Sequence, residues 1–159
     1  MTASQNADAA GTAGGAPTEY RISAHATPGR GAAVRAGDTQ IELDAGWGRA
    51  PSGLPGPAQL LAAAFAACLL KNLARAGDLV GFQYDDAHVE VVARRQDSPP
   101  KFVEITYTLR VTTDEPPRRV ELTHANLRKF GTVYNTLATA CEVHGTMQAV
   151  AGTSDGKRG

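Results

Sequence analysis

The sequence is poor in cysteine: its 159 residues include only Cys68 and Cys141, with 72 residues between them. Two thiols cannot build a disulfide scaffold, and they fall short of the roughly three or four ligands that zinc takes. They suffice for one redox pair. Excess charge is lacking too, since 16 Lys plus Arg face 16 Asp plus Glu. The basic residues are scattered singly or in pairs, which argues against nucleic acid as the main partner. MTASQNADAAGTAGGAPT at the N-terminus has no basic stretch followed by an apolar core, so it is not read as a secretory signal, and a cytoplasmic protein is expected. No membrane partner is expected either: Ala58 to Leu70 is apolar except for Gln59, and thirteen residues are too few to cross a bilayer. There is no internal repeat.

The length suits one domain with one core. Residues 1–18 are Ala, Gly, Thr and polar, with nothing to bury, and read as a disordered tail; residues 151–159 read as a frayed end. The domain is therefore expected over residues 19–150. Tyr20, Ile22 and Ala24 alternate with polar residues, and after the turn-like TPGRG a second extended piece carries Ile41 and Leu43, which predicts a hairpin or meander with Arg30 at its tip. AGWGRAPSGLPGPA is a Gly- and Pro-rich loop, and Pro57 opens a helix that runs to about Ala76, with Gly77 as its stop. Being apolar nearly all round, that helix belongs in the centre of the core.

Two strands follow. Val89, Val91 and Ala93 share one face, and Val103, Ile105, Tyr107, Leu109 and Val111 alternate with polar residues, so the segments flanking QDSPPK form an antiparallel pair with one apolar face. After DEPPRR a second helical region places Leu127, Phe130, Tyr134, Leu137 and Cys141 at steps of three and four, along one stripe, with Gly131 as a break or kink. TMQAV, after Gly145, closes the fold as an edge strand. The fold class is α+β.

Both cysteines thus fall on predicted helices and point inward. Free cysteine is among the most buried residue types and packs like a small hydrophobe, so on spacing alone a packing role and a reactive role stay open. The other candidates are weaker. Cys141 and His144 in CEVH offer two metal ligands but no second pair, while His25, His88 and His124 are scattered, so no metal and no cofactor are expected. A Cys–His hydrolase lacks a strand-turn-helix nucleophile elbow at either cysteine. Trp47 reads as a cover for the core edge or a dimer seam. Arg94–Arg95 and Arg118–Arg119 read as solvated element ends.

A reactive pair has definite requirements. A thiolate must attack a peroxide oxygen, a cation must keep it charged in an apolar pocket, and a second thiol must capture the sulfenic acid. Cys68 lies about three turns inside its helix, too deep for the N-terminal dipole, so the cation must come from elsewhere, and arginine suits because it stays charged when buried. ATPGRG, then GPAQLLAAAFAACLLKNL, then ACEVHGTMQ resemble the OsmC/Ohr family of thiol-dependent hydroperoxide reductases, over roughly residues 19 to 150. The resemblance implies an intertwined homodimer in which antiparallel sheets pack around long central helices. It implies Cys68 as peroxidatic thiol, Cys141 as resolving thiol, Arg30 as the guanidinium that holds the thiolate, and Leu61 and Phe65 as pocket lining. The expected partners are a second copy, an organic hydroperoxide, with hydrogen peroxide as a further substrate, and an external dithiol reductant.

The chain departs from the family pattern at the start of the helix. Typical members read Asn-Pro-Glu-Glu/Gln-Leu there, and the first glutamate pairs with the arginine; this chain reads GPAQL, with Ala58 in that place. Asp38 and Glu142 are candidate replacements. Glu142 also follows Cys141 where many members have proline, and a negative neighbour raises a thiol's pKa. The rival expectations are an OsmC-like protein of weakened catalysis that binds a small hydrophobic ligand, and a redox sensor.

Overall fold

The computed structural model describes residues 17–152, so the tails expected at 1–18 and 151–159 lie almost wholly outside the described residues. The chain divides into two compact units at Leu54 and Pro55, a boundary inside the predicted Gly- and Pro-rich loop.

The first unit is an antiparallel meander of β1 (Ile22–Thr27), β2 (Gly31–Ala36) and β3 (Thr39–Leu43). The turn before β2 follows from TPGR: Pro28 presets the first corner, Gly29 takes φ +77°, and the Arg30 N–H donates to the Thr27 carbonyl at 2.9 Å, the pattern of a type II turn. The meander and the tip position of Arg30 agree with the sequence reading. No described residue of this unit is buried. Its loop is organised by Asp44, whose carboxylate accepts the Gly46 N–H at 3.1 Å and the Ser52 N–H at 3.0 Å; these two bonds hold its pKa below the ordinary carboxylate value.

The second unit is built on α1 (Pro57–Val80), β4 (Asp86–Asp97), β5 (Pro100–Thr112), α2 (Pro117–Phe130), α3 (Thr132–Ala138) and β6 (Glu142–Val150). Pro57 sits at the first helical position of α1, and the Gln59 side chain reaches back to accept the Gly56 N–H at 2.7 Å, one half of a capping box. The helix does not stop at Gly77. It continues to Val80 and ends at Gly81, which takes φ +64°, with its N–H on the Gly77 carbonyl at 3.1 Å; a left-handed glycine is what terminates a helix.

The sheet order is β4-β5-β6. β4 and β5 are antiparallel as expected, but β6 runs parallel to β5, from Glu104 opposite Glu142 to Thr112 opposite Val150. The sheet is therefore mixed rather than antiparallel, and α2 with α3 forms the crossover that a parallel pairing needs. On the inner face of β5, Ile105, Tyr107, Leu109 and Val111 are buried together with Phe65, Leu69 and Leu73 of α1 and with Leu127 of α2. The outer face is wet and laced with cross-strand pairs such as Arg94–Glu104 at 3.1 Å and Arg110–Glu90 at 3.2 Å.

Within one chain α1 is covered on one side only. Phe65, Leu69, Leu73 and Ala76 are buried, while Leu61, Leu70, Leu79 and Val80 are exposed. At 24 residues it is long and apolar enough, by length and composition alone, to cross a membrane, a test that the core helix of a soluble protein also passes.

The second cysteine is not on a helix. Gly131 separates α2 from α3, as its expected break, but α3 ends at Ala138, and Cys141 stands on the following turn, its N–H donating to the Leu137 carbonyl at 3.0 Å. β6 starts at Glu142, before Gly145 rather than after it.

Candidate functional site

Cys68 lies beside the buried stripe of α1, three residues after Phe65, and is half-buried. Two neighbours define its surroundings. Asn72, one turn further along, places Nδ2 at 2.9 Å from the Cys68 carbonyl oxygen and 3.7 Å from Sγ. Gly131, at the joint of α2 and α3, comes so close that an added Cβ would stand 3.2 Å from the Cys68 Sγ and 2.9 Å from the Tyr134 Cβ. Glycine is required here for space, since its φ of −75° is open to any residue.

Beneath Cys68 lies an aromatic cluster. The Phe65 ring is 5.7 Å from those of both Tyr107 and Tyr134, distances at which offset and tilted rings attract. The Tyr107 hydroxyl lies 2.6 Å from the His124 Nε2. Burial pushes the Tyr107 hydroxyl far above its ordinary value, and burial, helped by Arg128, pushes His124 below its own. The phenol therefore stays protonated and the imidazole neutral, and the two share one hydrogen bond whose direction is set by the imidazole tautomer. Gly145, opposite Tyr107 in β6, leaves room for that residue: a Cβ there would collide with the Tyr107 carbonyl and ring.

Cys141 has different surroundings. Its Sγ donates to the Leu137 carbonyl at 3.5 Å, and it packs against the edge of the core. Burial raises its pKa while Lys101 draws it down, so the cause is desolvation rather than the neighbouring Glu142. Both cysteines are free thiols.

The other predicted residues fall as follows. Arg30 belongs to the first unit and is exposed. Phe65 is fully buried as the centre of the aromatic cluster, and Leu61 is 38% exposed. Ala58 is exposed, and the first turn of α1 carries no acidic residue. Asp38 lies in the turn between β2 and β3. Trp47 is 96% exposed. Arg95 pairs with Asp97 at 3.0 Å and Arg119 with Glu115 at 2.8 Å, in keeping with solvated element ends.

Cys141 and His144 do not converge as ligands, because residues three apart at a strand point to opposite faces. His144 instead joins Glu104 and Glu142 on the outer face, their ligand atoms all within 4.8 Å. The second oxygen of Glu104 is taken by Arg94 at 3.1 Å, which offsets the repulsion of the facing carboxylates. Sequence reasoning missed Asn72, the closeness of Gly131 to Cys68, and the Tyr107–His124 bond. Only Asn72 left a signal, a polar residue one helical turn after Cys68, just past the apolar run that ends at Leu70.

Sheet, crossover and cysteine-bearing helix together define a mixed α+β protein with a half-buried thiol on its principal helix. The OsmC-like protein family model matches residues 50–144, more than half of the chain, and the protein belongs to that family. None of the curated proteins matches it. Among solved structures, an OsmC-like protein from Mycoplasma pneumoniae superimposes with a TM-score of 0.75 at 18% identity, covering 84% of this chain and 98% of that one. An organic hydroperoxide resistance protein OsmC from Legionella pneumophila gives 0.67 at 20% identity, covering 84% and 99%. An organic hydroperoxide resistance protein from Elizabethkingia anophelis gives 0.66 at 19% identity, covering 84% and 99%. At these identities the likeness is one of fold.

Proposed function

We propose that the protein is a thiol-dependent peroxidase that reduces organic hydroperoxides, and hydrogen peroxide as a further substrate, in the cytoplasm. The observation that carries this reading is a half-buried, unpaired Cys68 on the main helix, with a side-chain donor at 3.7 Å from its sulfur. The organic hydroperoxide resistance proteins among its structural neighbours support the choice of substrate class.

The Cys68 thiolate attacks the terminal oxygen of ROOH. The O–O bond breaks, ROH leaves after taking up a proton, and Cys68 becomes a sulfenic acid. Cys141 then attacks that sulfur, water leaves, and a Cys68–Cys141 disulfide forms; an external dithiol reduces it and is itself oxidised to a disulfide. Arg30 is the guanidinium that holds the thiolate, and Leu61 and Phe65 favour an apolar peroxide. A homodimer covers the apolar side of α1 that one chain leaves open.

One equivalent of cumene hydroperoxide added to the reduced protein tests the scheme. Peptide mapping should recover a Cys68–Cys141 disulfide, and Cys68→Ser should stop peroxide consumption. Two free thiols after treatment, or a Cys68→Ser variant as fast as wild type, would sink it.

The bare first turn of α1 favours a second reading, a weakened catalyst that binds a small hydrophobic ligand. Ala58→Glu separates the two: a large gain in peroxide rate supports an under-oriented peroxidase, and an unchanged rate supports the binder.

A further inference from the structure

We propose that Asn72 is a positioning residue for Cys68, its carboxamide N–H groups fixing the sulfur on the helix and stabilising the negative charge that the sulfur carries as a nucleophile. The inference rests on Cys68 being the reactive thiol, as proposed above.

Residues four apart on a helix are neighbours on one face, so position 72 is where a side chain can fold back on Cys68. Asparagine is a poor choice there for helix formation, because its side chain competes for backbone hydrogen bonds. The Asn72 side chain makes two hydrogen bonds among the described residues, and both end on Cys68. The shorter one settles its orientation: the atom 2.9 Å from the Cys68 carbonyl oxygen has to be the nitrogen, since two oxygens there would repel. An amide nitrogen carries two hydrogens, and with one on the carbonyl the other is free to reach the sulfur at 3.7 Å.

A thiol is a weak acceptor and a thiolate a strong one. The contact therefore gains strength as charge appears on sulfur, which favours the thiolate, the form that acts as the nucleophile. Gly131 completes the setting from the opposite element, where even one added carbon would press on the sulfur. The sulfur is thus confined between the α2–α3 joint and the carboxamide. Asn72 also lines a cleft of about 250 Å³ shared with Arg75 and Asn126, so truncating it opens into existing space rather than leaving a sealed void.

The full-length reduced protein, alkylated with iodoacetamide across a range of pH, tests this without peroxide; mass spectrometry follows the Cys68 and Cys141 peptides separately. The charged and ionisable side chains on the adjoining stretches, Lys71 and Arg75 on α1, Arg128 and Lys129 on α2, and Tyr134 on α3, stay unchanged in every variant. For Asn72→Ala the Cys68 pH–rate profile should move to more alkaline pH by roughly half to one unit, about three- to tenfold slower at neutral pH. For the isosteric Asn72→Asp it should move further, because a carboxylate replaces the donor, while the Cys141 profile stays in place. A wild-type Cys68 profile in Asn72→Ala overturns the proposal, as does an equal shift at Cys141, which would report loosening of the fold. Failure to form the Cys68–Cys141 disulfide with peroxide, while Asn72 still controls alkylation, would remove the peroxidase reading and leave this one standing.

Discussion

The meander of residues 22–43 and the helix-on-sheet unit that begins at Pro55 are made from similar alternating and apolar patterns, yet they differ in what they bury. The second holds the twelve buried hydrophobic residues of the core; the first holds none. Three short strands without a covered face are marginal by themselves. One region carries its own stability, and the other depends on packing that its own strands do not supply.

The sharpest way to break this comparison is a pair of truncations read by urea unfolding. Phe65→Ala should cost about 3–5 kcal/mol, because it empties the centre of the aromatic cluster. Ile22→Ala, at a position 61% exposed, should stay within about 0.5 kcal/mol. A cost for Ile22→Ala comparable to that for Phe65→Ala would show that the meander is packed by something beyond its own strands.

Gly131→Ala comes next. The added methyl meets the Leu127 carbonyl, the Tyr134 Cβ and the Cys68 sulfur at 2.9, 2.9 and 3.2 Å, and overpacking of this kind costs about 1–3 kcal/mol. Cys68 alkylation should change with it. Gly29→Ala, strained by its φ but open in space, should affect only the meander.

Acid gives a smaller effect. The folded-state pKa of His124 is depressed, so the unfolded chain takes up the proton first as pH falls. The stabilisation is complete above the unfolded value of about 6.5 and is lost below it, toward the depressed folded value. Thermal melts should fall between neutral pH and mildly acid pH, and His124→Gln should flatten that dependence. An unchanged slope would show that the bond to Tyr107 is not what titrates. The mildest probe is limited proteolysis, in which the first cuts should fall before Pro55 and leave a fragment resistant from there onward.

How much of this was legible follows element by element. The alternation in FVEITYTLRVT fixed the buried face of β5, and Pro57 fixed the start of α1. Gly77 and Gly81 lie one turn apart, and a sequence does not say which of two glycines takes the left-handed conformation; a helix tolerates the other at about 1 kcal/mol. The stripe through Leu127, Phe130, Tyr134 and Leu137 implied that Cys141 was helical because a period of three and four survives a break in the backbone. Alternation cannot tell a parallel from an antiparallel edge, so β6 was placed and not oriented. The apolar run around Cys68 made its place on a helix legible, whereas the approach of Gly131 to the sulfur depends on how two helices dock, which local pattern does not encode.

The parallel pairing of β6 with β5 bears on how the protein is made. β4 and β5 meet through a short local turn, but β6 can join only after the whole α2–α3 crossover has been laid down, and such distant pairings form late. Cys141 stands at the first residue before that strand. In a newly synthesised chain Cys68 emerges before Cys141, and the placing of Cys141 beside β5 has to await the last of the crossover.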